Sequence, residues 1–425
     1  MENFKRLRRA VLSTVITASL LSMGSCETND SDLDSSIMTT TEEAQQQNYI
    51  VVFKDNVLED IPSLKNYLTT QYGITEQQIS KEYSSIFKGF TLKTSKNIAN
   101  RFGLDSKIES VVKDNIIEIS EAPEEPYYFE SNKKNVTKRN ANGSSMDEHG
   151  NITLPSGEVQ PWAVSLVGSG NGTGKTVWVY EPHGYYKDGE VNIDWNRSKS
   201  FNSSGWGDPY SSTHANHVAS ILAAKKNGTG IHGIAHGATV VLIRPDASSF
   251  SGLVEALDYV RKNIKPGEVF NFSAGFKGES LWGEEERKGL RLFEKALKSL
   301  SKVAVCTIAS GNSSQNLDTD HYFESSWSTR NDNLKVIGGL SRFIGRRGIY
   351  YAPWENSGFG SQIDYWLPAG KLPSWNKKHN RYSFGSGTSY AAPIAAAVLL
   401  LTNNKPKNAL NITKNGYTAP VPSIR

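Results

Sequence analysis

The chain has 425 residues, of which 37% are hydrophobic and 21% charged, and it holds 36 glycines and 16 prolines. These proportions are ordinary for a globular protein of two or three domains, and they exclude a collagen-like, coiled-coil or wholly disordered chain. The formal net charge is +4, but residues 1–25 hold four basic residues and one acidic residue, and the remainder carries 43 basic against 42 acidic residues. This net charge of +1 gives no excess of basic residues for binding nucleic acid, so we expect no nucleic-acid partner.

Residues 1–25 are typical of an export signal. A start rich in lysine and arginine runs into an apolar stretch at 10–23 and then into small residues before Cys26. The apolar stretch is too short to span a bilayer comfortably. From these features alone, a plain secretory signal followed by an incidental cysteine remains an open interpretation.

The next segment, residues 26–47, predicts a disordered tether. It is rich in Asp, Glu, Ser, Thr and Gln and lacks apolar periodicity. The second cysteine of the chain, Cys306, lies in the apolar run 303–306, so we interpret it as a small buried side chain and expect no disulfide.

Residues 48–120 predict a small α+β domain. A strand-like run at 49–53 precedes apolar residues at helical spacing over 61–72. Two short strands follow within 83–92, then a helix over 98–104 and a last strand over 116–119. The order β-α-β-β-α-β fits a ferredoxin-like, split βαβ domain, for which a binding module and a subunit interface are the general interpretations.

Residues 121–158 predict an exposed linker. The stretch contains Pro123, Pro126, a basic run at 133–139 and Asn-Gly-Ser-Ser at 142–145. Segments of this composition are typically exposed and are often cut by proteases.

Residues 159–425 predict an α/β domain with a parallel sheet flanked by helices on both faces. Apolar, β-branched runs alternate with helix-like segments, as parallel strands buried on both faces require. The strand-like runs are 177–180, 240–243 and 303–308, and the helix-like segments are 214–226, 252–264, 287–301 and 389–402.

Chemically useful residues stand at the ends of these elements, where α/β sheets place their sites. Glu181 follows the first strand, Asn312 follows the run ending at 308, His214 opens a helix, and Ser389 opens an Ala-rich helix. Nucleophilic acyl transfer needs a hydroxyl, an imidazole that takes its proton, a carboxylate that fixes the imidazole tautomer, and donors for the oxyanion. The chain has a candidate for each role.

Two motifs carry a family resemblance. Gly-Ser-Gly-Thr-Ser-Tyr-Ala-Ala-Pro at 385–393 resembles the nucleophile motif of subtilisin-like serine proteases, and His-Ala-Asn-His-Val-Ala at 214–219 resembles their His signature. The resemblance implies a subtilisin-like fold and a serine endopeptidase acting on proteins or peptides. In it Ser389 is the nucleophile, His214 the general base, Glu181 the orienting carboxylate and Asn312 the oxyanion donor.

The same resemblance covers about 48–402. It implies that 48–120 are an inhibitory propeptide that binds the rest of its own chain, and that the mature protease starts near Gln160. It implies no required cofactor and no catalytic metal, although structural calcium is possible in this family. The substrate-binding residues that it implies are Ser273, Ala274, Gly275, Ser310 and Gly311.

The segment 20–26 resembles the lipobox of bacterial lipoproteins, in which the cysteine carries lipid. This resemblance implies that Cys26 is the lipid attachment site, that the membrane is a partner through this anchor, and that the protein lies in the cell envelope, at the outer membrane or cell surface of a bacterium.

The chain departs from the family pattern where an aspartate is usual. Glu181 keeps the charge but moves the carboxylate outward by about 1.5 Å, and a misplacement of about 1 Å can cost on the order of a hundredfold in rate. Asp188 and Asp194 are competing candidates for the carboxylate.

Two alternative functions therefore stay open. The first is a catalytically impaired relative that binds peptides by strand addition along residues 271–275. The second is a metal-dependent hydrolase, in which His214 and His217 lie three residues apart on one helix and Glu181 or His183 completes the ligand set.

Overall fold

The computed structural model describes residues 45–117, 119–120, 124–125, 136–139, 143–207, 214–276, 282–319, 331–376 and 381–425. The export signal, Cys26 and nearly all of the tether lie outside the described residues, so the predictions for them stay predictions. Gln46–Arg425 form one unit. No helix within the described ranges is long and apolar enough to cross a membrane.

The first part of this unit is a four-stranded antiparallel sheet with two helices. The sheet has the order β2-β3-β1-β4, as the predicted β-α-β-β-α-β sequence requires. Its elements are β1 (Gln46–Phe53), α1 (Ile61–Tyr72), β2 (Ile79–Tyr83), β3 (Gly89–Ser95), α2 (Lys96–Phe102) and β4 (Ile108–Lys113).

The predicted last strand of this part, 116–119, is wrong. The fourth strand is β4, which places Val112 opposite Ile50 of β1 in the buried core. Ile116 is instead 88% exposed. Both stretches are rich in β-branched residues, and only pairing with β1 distinguishes them.

Helix α1 shows how local sequence sets an element. The Asp60 side chain accepts a hydrogen bond of 2.9 Å from the Ser63 backbone N–H and caps the first turn. Gly73 ends the helix with φ of 70°, a left-handed conformation that favours glycine. Leu64 and Leu68, four residues apart, point into the core.

Short strands lie in and directly beside the region 121–158, which was expected to be an exposed linker. They are β5 (Ile119–Ser120), β6 (Glu124–Glu125), β7 (Val136–Arg139), β8 (Ser145–Asp147), β9 (Ile152–Thr153) and β10 (Val159–Gln160), and the last four form one antiparallel sheet.

In the second half of this linker, residues 143–158, buried residues alternate with exposed ones, so the prediction of an exposed linker is only partly correct there. Asn151 and Glu158 are both buried, with 2% of their surface exposed. Asn151 Oδ1 accepts from the Trp162 N–H at 2.9 Å, and Glu158 Oε1 accepts from the Asn227 N–H at 3.2 Å. The sequence predicts a linker here because the hydrogen-bond partners of these polar residues, Trp162 and Asn227, lie outside the segment.

A mixed sheet of nine described strands forms the centre of the rest. Seven lie in the order β13-β16-β12-β17-β19-β20-β21, while β14 also pairs with β16 and β22 with β20. All pairs are parallel except β20 with β21. The strands of this sheet are β12 (Thr176–Tyr180), β13 (Asn192–Ile193), β14 (Lys199–Ser200), β16 (Thr239–Arg244), β17 (Val269–Phe272), β19 (Val305–Ala309), β20 (Leu334–Gly345), β21 (Gly348–Pro353) and β22 (Tyr365–Pro368). The other strands of this part belong to smaller sheets and are β11 (Gly170–Asn171), β15 (Ala235–His236), β18 (Gly275–Phe276), β23 (Leu372–Asn376), β24 (Arg381–Gly385), β25 (Lys407–Lys414) and β26 (Tyr417–Ser423).

Helices pack on this sheet in two pairs, α4 with α7 and α5 with α6. They are α3 (Trp162–Val167), α4 (His214–Ala223), α5 (Phe250–Asn263), α6 (Glu284–Ser301) and α7 (Thr388–Leu401). The predicted parallel sheet with its helices is confirmed, and the antiparallel hairpin β20–β21 was not anticipated.

Helix α7 crosses the centre of the domain. Its residues 388–400 are all buried, and its small alanines let it contact β17, β19 and β20. Gly339 of β20 lets the residue after β22 lie close, because a Cβ there would lie 2.6 Å from Ala369 Cβ, and the Ala369 carbonyl accepts from the Gly387 N–H at 2.9 Å just before α7. The beginning of α7 is thereby fixed against the sheet.

The N-terminal part docks on helix α5 through a buried carboxylate. Asp258 Oδ1 accepts from three consecutive backbone N–H groups of the β2–β3 connection, at 3.0 Å from Ser84, 2.7 Å from Ser85 and 3.0 Å from Ile86. Beside it, the ammonium of Lys81 pairs with Glu255.

We expect Asp258→Ala to loosen this interface. Loss of the acceptor leaves buried N–H groups without their partner, at a cost of about 1–3 kcal/mol. Hydrogen exchange of the amides at 84–86 should accelerate, and the thermal midpoint should fall. The matched control is Glu255→Gln on the same helix, whose partly exposed ion pair contributes less than about 1 kcal/mol. Unchanged exchange in Asp258→Ala would contradict this role.

Candidate active site

Glu181 and His214 meet inside the protein. Glu181 directly follows β12, and its N–H donates to the Ile243 carbonyl of β16 at 2.9 Å, so the strand pairing fixes its backbone. His214 is the first residue of α4. His214 Nδ1 lies 2.8 Å from Glu181 Oε2, and both side chains are 2% exposed.

A second histidine bonds the other oxygen of the same carboxylate. Glu181 Oε1 accepts from the His183 N–H at 3.3 Å and makes a short hydrogen bond with His183 Nδ1. Burial alone would raise the pKa of Glu181, but the charge of His214 and the hydrogen bonds and charge of His183 outweigh it and lower that pKa to about 2. The carboxylate therefore stays ionised between two imidazoles.

The competing acids have other partners. Asp188 accepts from the Glu190 N–H and from Asn216 Nδ2, at 2.9 and 3.3 Å. Asp194 accepts from the backbone N–H groups of the loop that follows it. Of the three carboxylates weighed from the sequence, Glu181 is the one bonded to His214.

Ser389 is the second residue of α7 and is 4% exposed. The ring of its neighbour Tyr390 lies with its centroid 5.5 Å from that of His214 and 4.1 Å from that of His217. This packing brings the first turn of α7 to the first turn of α4. Burial, followed by the charge of His214, lowers the pKa of His217 to about 3, so His217 is a neutral packing residue.

Asn312 is held against the beginning of α7. Its Oδ1 accepts from the Thr388 N–H at 2.9 Å and from the Thr388 hydroxyl at 2.8 Å. The carbonyl end of the carboxamide is thus occupied, which leaves the NH₂ end to donate to another group.

Residues 271–275, called here the peptide edge, contain three of the expected substrate-binding residues. Ser273 and Ala274 are buried, and Ser273 Oγ accepts from Asn271 Nδ2 at 2.8 Å. Gly275 belongs to β18, which pairs antiparallel with β5 of the chain's own N-terminal part. The backbone of this edge therefore already binds an extended segment.

The other two expected substrate-binding residues lie in the segment that precedes Asn312. Ser310 is 1% exposed, and its Oγ lies 3.4 Å from Ser357 Oγ. The Gly311 carbonyl accepts from the Gly358 N–H at 3.1 Å and from the Thr388 hydroxyl at 3.2 Å. This segment holds Asn312 in place through the fold.

Three site residues had no such role in the sequence analysis. Thr388 orients Asn312, and His183 shares Glu181. Asn216 ties α4 to the loop after Glu181, because its carboxamide bonds the Tyr186 N–H at 2.8 Å and the Tyr186 carbonyl at 2.7 Å. The available signal was position, since Thr388 precedes Ser389 and His183 lies two residues after Glu181.

The arrangement also has the composition of a metal site. Glu181, His183 and His214 offer donor atoms that all lie within 4.8 Å of one another. His217, considered as a ligand from the sequence, is not part of this group.

Comparison with known proteins concerns the family and the fold. The model of the subtilase family matches residues 25–416. An extracellular basic protease of Dichelobacter nodosus is 26% identical over 227 residues, which cover 47% of this chain and 34% of the relative. The chain thus spans about a third of the length of that relative.

Solved structures share the fold. Fervidolysin from Fervidobacterium pennivorans, a keratinolytic enzyme related to subtilisin, matches with a TM-score of 0.54 and 16% identity over 89% of this chain and 56% of its own. The epidermin leader peptide processing serine protease of Staphylococcus aureus matches with a TM-score of 0.56 and 13% identity over 85% of this chain and 88% of its own. The expected subtilisin-like α/β fold is confirmed.

The lowered pKa of Glu181 makes acid stability a test of this geometry. The group titrates at 4.5 without these partners and at about 2 in the folded chain, so the unfolded chain takes up the proton first as the pH falls. The contribution to stability is complete above pH 4.5 and is lost between pH 4.5 and 2. Its size is on the order of 3 kcal/mol.

We expect denaturant unfolding of Glu181→Gln to depend less on pH in this range than that of the wild type. Glu76→Gln, a change at an exposed glutamate, is the control and should follow the wild-type curve. Parallel curves for wild type and Glu181→Gln would contradict the assignment.

Proposed function

Because the chain belongs to the subtilase family, we propose that it is a serine endopeptidase that cleaves peptide bonds through an acyl-enzyme intermediate on Ser389. The observation that carries this proposal is the buried 2.8 Å hydrogen bond between His214 and Glu181, beside the helix that carries Ser389 in its first turn. The reaction needs no cofactor.

In this proposal the Nδ1–H of His214 donates to Glu181, which leaves Nε2 to take the proton of the Ser389 hydroxyl. The serine oxygen then attacks the scissile carbonyl, and His214 passes the proton to the leaving amine. Glu181 stays ionised throughout and stabilises the imidazolium.

The oxyanion is stabilised by donors held in advance. Asn312, fixed by Thr388, supplies its NH₂ group, and the backbone N–H groups of the first turn of α7 lie at the positive end of the helix dipole. Removing one such donor costs about 10²–10³ in rate in related chemistry.

The peptide edge supplies the substrate strand. A peptide would replace β5 beside Gly275, with its main chain paired antiparallel to β18 as β5 is now. The Ile117 N–H donates to the Ser248 carbonyl at 3.1 Å, so the same segment is bonded on a second side. We therefore assign residues 48–120 as an inhibitory propeptide that occupies the cleft of its own chain.

A relative without effective catalysis that binds peptides along this edge is the second candidate. Its supporting observation is Glu181 itself, which stands where the family usually has aspartate and shares its carboxylate with His183.

Covalent labelling separates the two functions. We expect a serine-directed fluorophosphonate to label the processed wild-type protein on Ser389 and to leave Ser389→Ala unlabelled. Ser383→Ala, whose hydroxyl lies 2.8 Å from that of Ser374 in the neighbouring strand, is the matched control and should be labelled. Absence of label from the processed wild type would favour the peptide-binding function.

We expect Glu181→Gln to lower the rate of acylation by an activated ester by about 10⁴, because the imidazolium loses its negative partner. Glu181→Asp should lose far less, since it keeps the charge and only shortens the reach by about 1.5 Å. Asp188→Asn and Asp194→Asn serve as controls. If the acylation rate fell sharply in either control and was unchanged in Glu181→Gln, the orienting carboxylate would be assigned to the aspartate changed in that control.

We propose that the precursor processes itself. The cut falls between about Ile119 and Gln160, and we expect it before residue 145, because Asn151 and Glu158 are buried. Purified wild type should shorten to a stable product, while Ser389→Ala should stay at full length. Mass spectrometry of the new N-terminus checks this, and equal shortening of both proteins would rule out self-cleavage.

We also propose that Cys26 carries lipid and anchors the protein in the bacterial cell envelope, on the strength of the lipobox-like segment 20–26. Cys26→Ser should move the protein from the membrane fraction to the soluble fraction or stall its maturation. A Cys26→Ser protein of normal mature size that stays with membranes would contradict this anchor.

A further inference from the structure

One carboxylate joins two imidazoles through the same type of ring nitrogen. Glu181 Oε2 lies 2.8 Å from His214 Nδ1, and Glu181 Oε1 bonds His183 Nδ1. The two rings have centroids 5.4 Å apart and planes inclined by 70°. Among the described residues, this is the one group of three or more His, Cys, Asp or Glu whose donor atoms all lie within 4.8 Å.

Two imidazole nitrogens and one carboxylate oxygen form a His₂Glu donor set, which suits Zn²⁺ with a water as fourth ligand. Bond lengths of about 2.0–2.2 Å place the donors of a tetrahedral zinc site about 3.3 Å apart. The hydrogen bonds to Glu181 must therefore lengthen slightly while the two histidines close on a shared ion. This adjustment is of the size that side-chain rotation provides.

The loop that carries His183 is held by the fold. The Pro182 carbonyl accepts from Arg244 Nε at 3.2 Å, and the Tyr185 N–H donates to the Trp206 carbonyl at 3.0 Å. His183 itself has 12% of its side chain exposed, against 2% for Glu181 and His214. These bonds hold the backbone on both sides of His183 while its ring stays partly exposed, so an ion would reach the group from the His183 side.

We propose that Glu181, His183 and His214 bind Zn²⁺ or a similar divalent ion, and that this ion switches the site off. The ion takes the Nδ1 lone pairs of His183 and His214, so in each neutral ring the single proton moves from Nδ1 to Nε2. A protonated Nε2 cannot accept the proton of Ser389. Binding at the three ligands stands on the geometry alone, whereas the inhibition rests on the proposed protease function.

Another cluster of histidines offers a matched control. His232 and His236 have ring centroids 6.2 Å apart, and His232 Nδ1 lies 3.7 Å from Glu158 Oε2. These residues do not belong to the group of close donor atoms. A change at His236 therefore tests whether any loss of binding is specific.

The binding test uses the full chain carrying Ser389→Ala, so that no activity is needed. Titration with Co²⁺ should give one ion per chain with the intense visible absorption of tetrahedral cobalt, and Zn²⁺ should displace it. In Ser389→Ala with His183→Asn, which can still donate to Glu181, the affinity should fall at least about a hundredfold. The His236→Asn protein should bind as the parent does.

The inhibition test uses the processed wild type and an activated ester. Each variant's acylation rate with Zn²⁺ is divided by its own rate with a zinc chelator at constant Ca²⁺. Zn²⁺ should suppress the rate of wild type and of His236→Asn, while His183→Asn should need at least about a hundredfold more Zn²⁺ for the same suppression.

The possible outcomes are separable. Absence of tetrahedral Co²⁺ binding, or equal binding in His183→Asn and its parent, overturns the metal site. A bound ion with an unchanged acylation rate overturns the inhibition. Binding that depends on His183 in a wild type that acylates no ester supports the site while rejecting the protease function.

Discussion

The hydrogen bond between Glu181 and His214 is the constraint on which the rest of the site depends. A carboxylate buried to this extent costs several kcal/mol unless partners compensate it. The compensation comes from His214 on α4 and from His183 on the following loop, so the end of β12, that loop and the beginning of α4 must all meet. The pairing of β12 with β16 and β17 fixes the backbone position of Glu181. Hydrogen bonds from the following loop to Asn216 and Trp206 hold that loop in place.

Helix α7 brings the second half of the site to the first. Its alanines allow the backbone to lie close to the sheet, and Thr388 bonds Asn312 across a sequence separation of 76 residues. One short segment thereby supplies the hydroxyl of Ser389, the side chain of Thr388 that orients Asn312, and the ring of Tyr390 that packs on His214 and His217. A change in the packing of α7 would disturb all three together.

The N-terminal part binds the peptide edge by main-chain pairing, the interaction proposed above for a substrate peptide. Strand β5 pairs with Gly275 and Phe276 by main-chain hydrogen bonds, and Asp258 adds a second attachment by binding three backbone N–H groups. A covalently linked segment that fills the edge in this way has a high effective concentration, and cutting the linker removes that advantage.

Much of the protein could be predicted from sequence because its patterns are local. Apolar periodicity predicted the long helices and the central strands β12, β16 and β19 within a few residues, and the motifs around His214 and Ser389 predicted the fold class and the candidate residues. Tertiary structure alone decided which stretch pairs with β1, since the segments 108–113 and 116–119 are both β-prone and only one finds a partner there. It also decided that Glu181, rather than Asp188 or Asp194, bonds His214, and that His183 shares this carboxylate. In the same way it decided that Thr388 holds Asn312 and that Asn151, in the predicted linker, is bonded to Trp162. The physical reason is the same in each case: a hydrogen bond or strand pair between residues far apart in sequence depends on both partners, and a local pattern contains only one of them.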